Sequence, residues 1–191
     1  MKDPKLPSSA IFDESDFPVS IVRRTVFQGT GSDMDELAAK PLIASSQTEM
    51  NPGHMHLSGL AARVREGVAA AGGVPFEFNV PAPCDGIAMG HAGMRHILPQ
   101  RDLIADLVET HVRSMRLDGV VFIASCDKIL PGMLMAAARL DLPGIFLTGG
   151  PNAFSIRLSH PFGNSVSHKD YEELEDKLGT ARYDLKKKVK T

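Results

Sequence analysis

Short apolar runs alternating with longer amphipathic ones constrain this chain most. "PLIAS" (41–45) reads as a buried strand. "HLSGLAARVREGVAAAGG" (56–73) then places Leu57, Leu60, Ala61, Val64, Val68 and Ala71 at helical spacing, ahead of a Gly72–Gly73 stop. In "VPFEFNV" (74–80), Val74, Phe76, Phe78 and Val80 alternate as in a strand. "RDLIADLVETHVRSMR" (101–116) puts Leu103, Ile104, Leu107, Val108, Val112 and Met115 on one helical face. "GVVFIA" (119–124) is a continuous apolar run, as in parallel sheets buried on both faces. "PGMLMAAARL" (131–140) predicts a helix with proline in its first turn, and "PGIFLT" (143–148) a further strand. Strands alternating with helices imply right-handed βαβ units, hence an α/β fold whose mostly parallel sheet is flanked by helices.

This pattern occupies residues 41–151. Residues 1–40, rich in Pro, Ser, Asp and Gly, read as an extended lead-in with little regular structure, and 152–191 as a tail that continues the domain incompletely. At 191 residues, 43% apolar and 23% charged, the chain is long enough to bury a core and has the composition of a soluble globular protein. A formal net charge of −2 argues against nucleic acid or an anionic membrane as partner. The basic run "DLKKKVKT" (184–191), without aromatic interleaving, reads as a solvated end. Two cysteines, a polar N-terminus without a signal-peptide core, and no apolar run of membrane-spanning length predict a cytoplasmic protein.

In open α/β sheets, ligands bind beyond the C-terminal ends of the strands. Three chemically loaded segments fall there: "SSQTEMNPGHMH" (45–56), "PAPCDGIAMGHAGM" (81–94) and "SCDK" (125–128). In the last, a Cys126 thiolate suits a soft metal, Asp127 suits a hard one such as Mg²⁺, and Lys128 beside a metal could form a carbamate. An ordinary loop with a packed cysteine and a solvated ion pair is an equal reading from position alone. Cys84 and Asp85 repeat the Cys-Asp pair after another strand. Gly86, Gly90 and Gly93 make a permissive loop without phosphate-binding spacing, and Met89 and Met94 are expected to pack against the sheet. His54 and His56 raise a zinc reading, weakened because a helix starting at His56 makes the imidazoles diverge. His91, His96 and His111 lack metal-ligand spacing, and His111 is expected to pack on its helix. Ser45 and Ser125 lie outside any GxSxG elbow.

Taken together, "NPGHMHLSGLAARVREGVAAAGGVPFEFN", "CDGIAMGHAGM", "LPQRDLIAD", "DGVVFIASCDKILPGMLMAAARL" and "PGIFLTGGP" closely resemble the dihydroxy-acid dehydratase/phosphogluconate dehydratase family, over about residues 40–151. The resemblance implies loss of water from a 2,3-dihydroxy acid or sugar acid to give a 2-keto acid, with an iron–sulfur cluster and Mg²⁺ as cofactors. It makes Cys126 a cluster ligand and assigns Asp85, Asp127 and Lys128, the last as a carbamate, to Mg²⁺. It also implies a homodimer acting on a small dihydroxy acid.

The chain departs from the family pattern at Gly53, where many members have cysteine; Cys84 is the candidate substitute. Around "YEELEDKLGT" (171–180) it lacks the family's "CGSC"-like motif. These departures predict a truncated N-terminal portion with doubtful activity of its own. A non-catalytic, Mg²⁺-binding remnant of the same fold is the alternative.

Overall fold

The computed structural model describes residues 6–13, 15, 17–31 and 39–149. A four-stranded, all-parallel sheet forms its centre, in the order β2-β1-β3-β4. The strands are β1 (Pro41–Ser45), β2 (Phe76–Asn79), β3 (Gly119–Ala124) and β4 (Gly144–Thr148). The inner strands β1 and β3 are the continuous apolar runs: Leu42, Ile43, Ala44, Phe122 and Ile123 are fully buried. At the edge, β2 alternates, with Phe76 and Phe78 half-buried and Glu77 and Asn79 exposed. The α/β architecture expected from the periodicity is the one observed.

Three longer helices cover the sheet. Helix α2 (Leu57–Ala70) lays Leu57 and Ala61 on Ile43 and Ile123 of one face. Helices α4 (Gln100–Met115) and α5 (Ile129–Leu140) cover the other, where Ile104, Val108, Met133 and Ala136 meet Leu42, Val120 and Phe122. From β1 the chain moves outward to β2, then returns past β1 to β3 and on to β4. Those two directions of travel require right-handed crossovers to use opposite faces, as they do. The reversal makes a switch point, and so a crevice, between the C-terminal ends of β1 and β3. Helices α4 and α5 touch closely at Gly132, where a Cβ would lie 2.9 Å from the Arg101 carbonyl oxygen.

Several expectations need correction. Residues 1–40 do not form an extended lead-in throughout: Pro7–Ile11 make a 3-10 turn and Val19–Gln28 form helix α1. Only Ser20 and Phe27 of α1 are buried, so the chain carries no core-facing stripe there to signal a helix. What holds the segment is tertiary. The Phe27 ring packs edge-on against Phe12 and Phe76 at 5.9 and 5.6 Å. The buried Asp118 carboxylate accepts the backbone N–H groups of Ser8 (2.8 Å) and Lys40 (2.7 Å).

On α4, Leu103, Leu107 and Met115 are exposed, because Ala105 takes a core position beside Ile104 and rotates the buried stripe. Helix α5 starts at Ile129, two residues before the expected proline turn, which puts Lys128 at its N-cap. Asp85–Ala88 form a short helical turn, α3, rather than an open glycine loop, and Met89 and Met94 are exposed rather than packed on the sheet. Residues 150–191, which include the predicted tail and its basic run, lie outside the described residues. Among the described residues, no helix is long and apolar enough to cross a membrane.

Candidate metal centre

The crevice between β1 and β3 gathers all three loaded segments. Val80 donates its N–H to the Ser45 carbonyl at the end of β1, and Ser46 donates to Ile123 near the end of β3. The loops 46–56, 80–85 and 125–128 therefore leave the same sheet edge. Cys126 turns the chain from β3 into α5 with φ +67°, in the left-handed region. A side chain there costs about 1–2 kcal/mol relative to glycine. Strain of this kind clusters at functional sites, which is the direction of inference from Cys126 to a use for its thiol.

Beyond the elbow, the Lys128 ammonium donates a short hydrogen bond to Asp127 and lies 3.7 Å from Asp85 Oδ2. Two carboxylates, one from each Cys-Asp pair, thus share one positive charge. The hydrogen bond from Lys128 holds the Asp127 carboxyl below its usual range. The same bond, helped by the charges of Asp127 and Asp85, raises Lys128, while the Arg101 guanidinium opposes it. Asp85, Asp127 and Lys128 are therefore brought together.

Cys126 is half-buried, and burial is the main cause that pushes its thiol up. The hydrogen bond from Asn51 works against that, whereas the Asp85 and Asp127 carboxylates and the neighbouring Cys84 add to it. Cys84 is thus close enough to Cys126 to be felt electrostatically, and neither cysteine is in a disulfide. Asn51 and Arg101 are the residues that the site reading from sequence missed. Asn51 is buried, with Nδ2 3.5 Å from the Cys126 sulfur. Arg101, in the first turn of α4, has a buried Nε without a hydrogen-bond partner among the described residues. An Asn-Pro turn and an Arg at a helix start were visible in the chain, but their place at the crevice appears only once the three loops are folded together.

The two histidines diverge. His54 is fully buried, with Nδ1 2.7 Å from the Ser46 carbonyl oxygen and 2.9 Å from its hydroxyl, and burial lowers its pKa. His56 Nε2 instead lies 3.1 Å from the Gly149 carbonyl oxygen, after β4. The rings tie down different strand ends and do not form a zinc pair. His111 packs as expected, stacked on Phe78 with ring centroids 4.7 Å apart. Among the described residues, no three of His, Cys, Asp and Glu converge as a ready-made metal cage.

The family model for the N-terminal part of dihydroxy-acid/6-phosphogluconate dehydratases matches residues 40–184. The chain belongs to that family. The match runs past residue 151, where the recognisable motifs stop. Relatives include the dihydroxy-acid dehydratases of Pyrococcus abyssi, 55% identical over 130 residues (67% of this chain and 23% of that protein), and of Methanothermobacter thermautotrophicus, 57% identical over 119 residues (61% and 22%). Another is that of Archaeoglobus fulgidus, 49% identical over 152 residues (78% and 27%). The chain spans about a quarter of the length of the curated relatives it matches. In this dehydratase-family domain, the stretch that the family model matches takes in the sheet and all three crevice loops.

Proposed function

We propose that the chain carries the metal-binding portion of a hydro-lyase centre that converts a 2,3-dihydroxy acid, branched-chain or sugar-derived, to a 2-keto acid. One observation carries this reading: Asp85, Asp127 and Lys128 meet beside Cys126 at the crevice between β1 and β3. The names of the relatives point to the same reaction.

The donor set fits Mg²⁺ in kind, since two carboxylates already face one positive charge and a hard cation takes oxygen ligands. Lys128 can add an oxygen only after its amine has lost a proton and bound CO₂ as a carbamate. The thiols suit an iron–sulfur cluster in kind but not in number, because the chain has two cysteines and a cluster takes about four thiolates. Cluster and Mg²⁺, when bound, supply Lewis acidity at the departing hydroxyl and positive charge at the substrate's oxygens. The chain's own part is positional. Asp85 and Asp127 hold the cation, Cys126 presents a thiolate from a strained elbow, and the β1/β3 crevice lines them up on one side.

A test uses Mn²⁺ as a probe for the Mg²⁺ position. Adding a 2,3-dihydroxycarboxylate to the Mn²⁺-loaded chain is expected to displace bound water and lower proton relaxivity, and Asp85→Asn is expected to remove the response. No response to the dihydroxy acid in a chain that does bind Mn²⁺ would overturn the dehydratase reading. It would leave the second one, a non-catalytic Mg²⁺-binding module. Turnover by these 191 residues alone is expected to stay small even after iron–sulfur reconstitution; a robust yield of keto acid would contradict that.

A further inference from the structure

We infer that Asn51 is the positioning residue for the Cys126 thiolate: one N–H of its amide points at the sulfur while the other locks in the loop that carries Cys84 and Asp85. Its side chain is 1% exposed, in a crevice where each polar atom needs a partner. The amide oxygen accepts the Gly53 N–H at 3.1 Å. That bond fixes the orientation, because the flipped amide would set its NH₂ group against another donor. The two protons of Nδ2 are then left for the Ala82 carbonyl and the Cys126 sulfur, both at 3.5 Å. All three crevice loops meet at this one amide: its own, the loop two residues before Cys84, and the elbow at Cys126.

The sulfur lies nearer the amide nitrogen (3.5 Å) than the amide oxygen (3.9 Å), so the contact in which sulfur accepts is the shorter one and favours one chemical form. A thiol is a weak acceptor, whereas a thiolate accepts a charge-assisted hydrogen bond of roughly twice the ordinary strength. The Asp85 and Asp127 carboxylates and Cys84 work against that thiolate, and the Asn51 N–H, 3.5 Å from the sulfur, works for it. Partners of this kind orient a metal ligand and typically contribute about 10–100-fold to metal affinity. The inference rests on Cys126 being a soft-metal ligand, as proposed above.

The experiment uses Cd²⁺ as the probe and the full chain with Cys84→Ser, so that Cys126 is the one thiol left. Binding is followed through the ultraviolet thiolate-to-cadmium absorption band. In that background, Asn51→Ala and Asn51→Leu are expected to weaken Cd²⁺ binding by about tenfold or more. They are also expected to move the band to longer wavelength, because losing the N–H raises the energy of the sulfur lone pair. A purely packing role for Asn51 would not move the band. Circular dichroism spectra matching the parent identify the variants that are folded. An unchanged affinity and band position in either folded variant overturns the inference while leaving Cys126 as a ligand. No thiolate band in the Cys84→Ser chain itself would overturn both.

Discussion

Lys128 Nζ stands 3.7 Å from Asp85 Oδ2 while hydrogen-bonded to the adjacent Asp127, so an ammonium lies between the two carboxylates to which Mg²⁺ binding is proposed. The paired acids hold that ammonium protonated, and carbamate formation needs the neutral amine. Incubation with ¹³C-bicarbonate should therefore give a carbamate resonance only when Mg²⁺ is present to take over the carboxylates. Lys128→Met should show none in either case. A carbamate signal without a divalent cation would contradict this order of events.

Asp118 joins the N-terminal segment to the sheet by accepting the Ser8 and Lys40 N–H groups while 8% exposed. Asp118→Ala removes the acceptor of both backbone N–H groups, at about 1–3 kcal/mol for each that stays buried and unpaired. A lower urea midpoint and faster hydrogen exchange at Ser8 and Lys40 are the expected results. Unchanged exchange at both amides would show that the carboxylate is not their anchor.

Gly132 sets the spacing of α4 and α5, since a Cβ there would lie 3.1 Å from Ile104 Cβ as well as 2.9 Å from the Arg101 carbonyl oxygen. Gly132→Ala should cost about 1–3 kcal/mol through overpacking, more than the roughly 1 kcal/mol gained in helix propensity. Gly67→Ala in α2, with nothing within 4 Å of its Cβ, should instead stabilise by about 0.4–1 kcal/mol. Denaturant titration of both variants checks the opposite signs.

His54 is buried and its pKa is lowered, so the folded state binds a proton less readily there than the unfolded chain. Its contribution to stability is therefore complete above about pH 6.5 and is lost as pH falls toward the folded-state value. Stability measured between pH 7.5 and 5 should drop less steeply in His54→Gln than in the parent. Parallel profiles would show that His54 does not control this limb.

The sheet was legible in the chain because β1 and β3 are buried on both faces and read as unbroken apolar runs, while β2 keeps its alternation. The acid pairs and Lys128 were legible because short motifs directly after strands can only fall at one edge of a parallel sheet. Helix α1 was not. Val19, Ile21, Val22 and Val26 stay exposed, and the Phe27 contacts that hold the helix are with residues distant in sequence. Asn51 was hidden for a related reason: its partners Ala82 and Cys126 come from two other loops, and neither periodicity nor spacing brings those together. The stripe on α4 misled because periodicity fixes a helical face but not how far that face turns toward the sheet.

In the proposed centre Asp85 and Asp127 serve one cation. A Mn²⁺ titration of the chain, read by electron paramagnetic resonance, tests this most directly. The expected result is a saturable site from which Mg²⁺ displaces Mn²⁺, with affinity falling at least about tenfold in Asp85→Asn and in Asp127→Asn alike. No saturable binding, or binding that neither substitution changes, would contradict it.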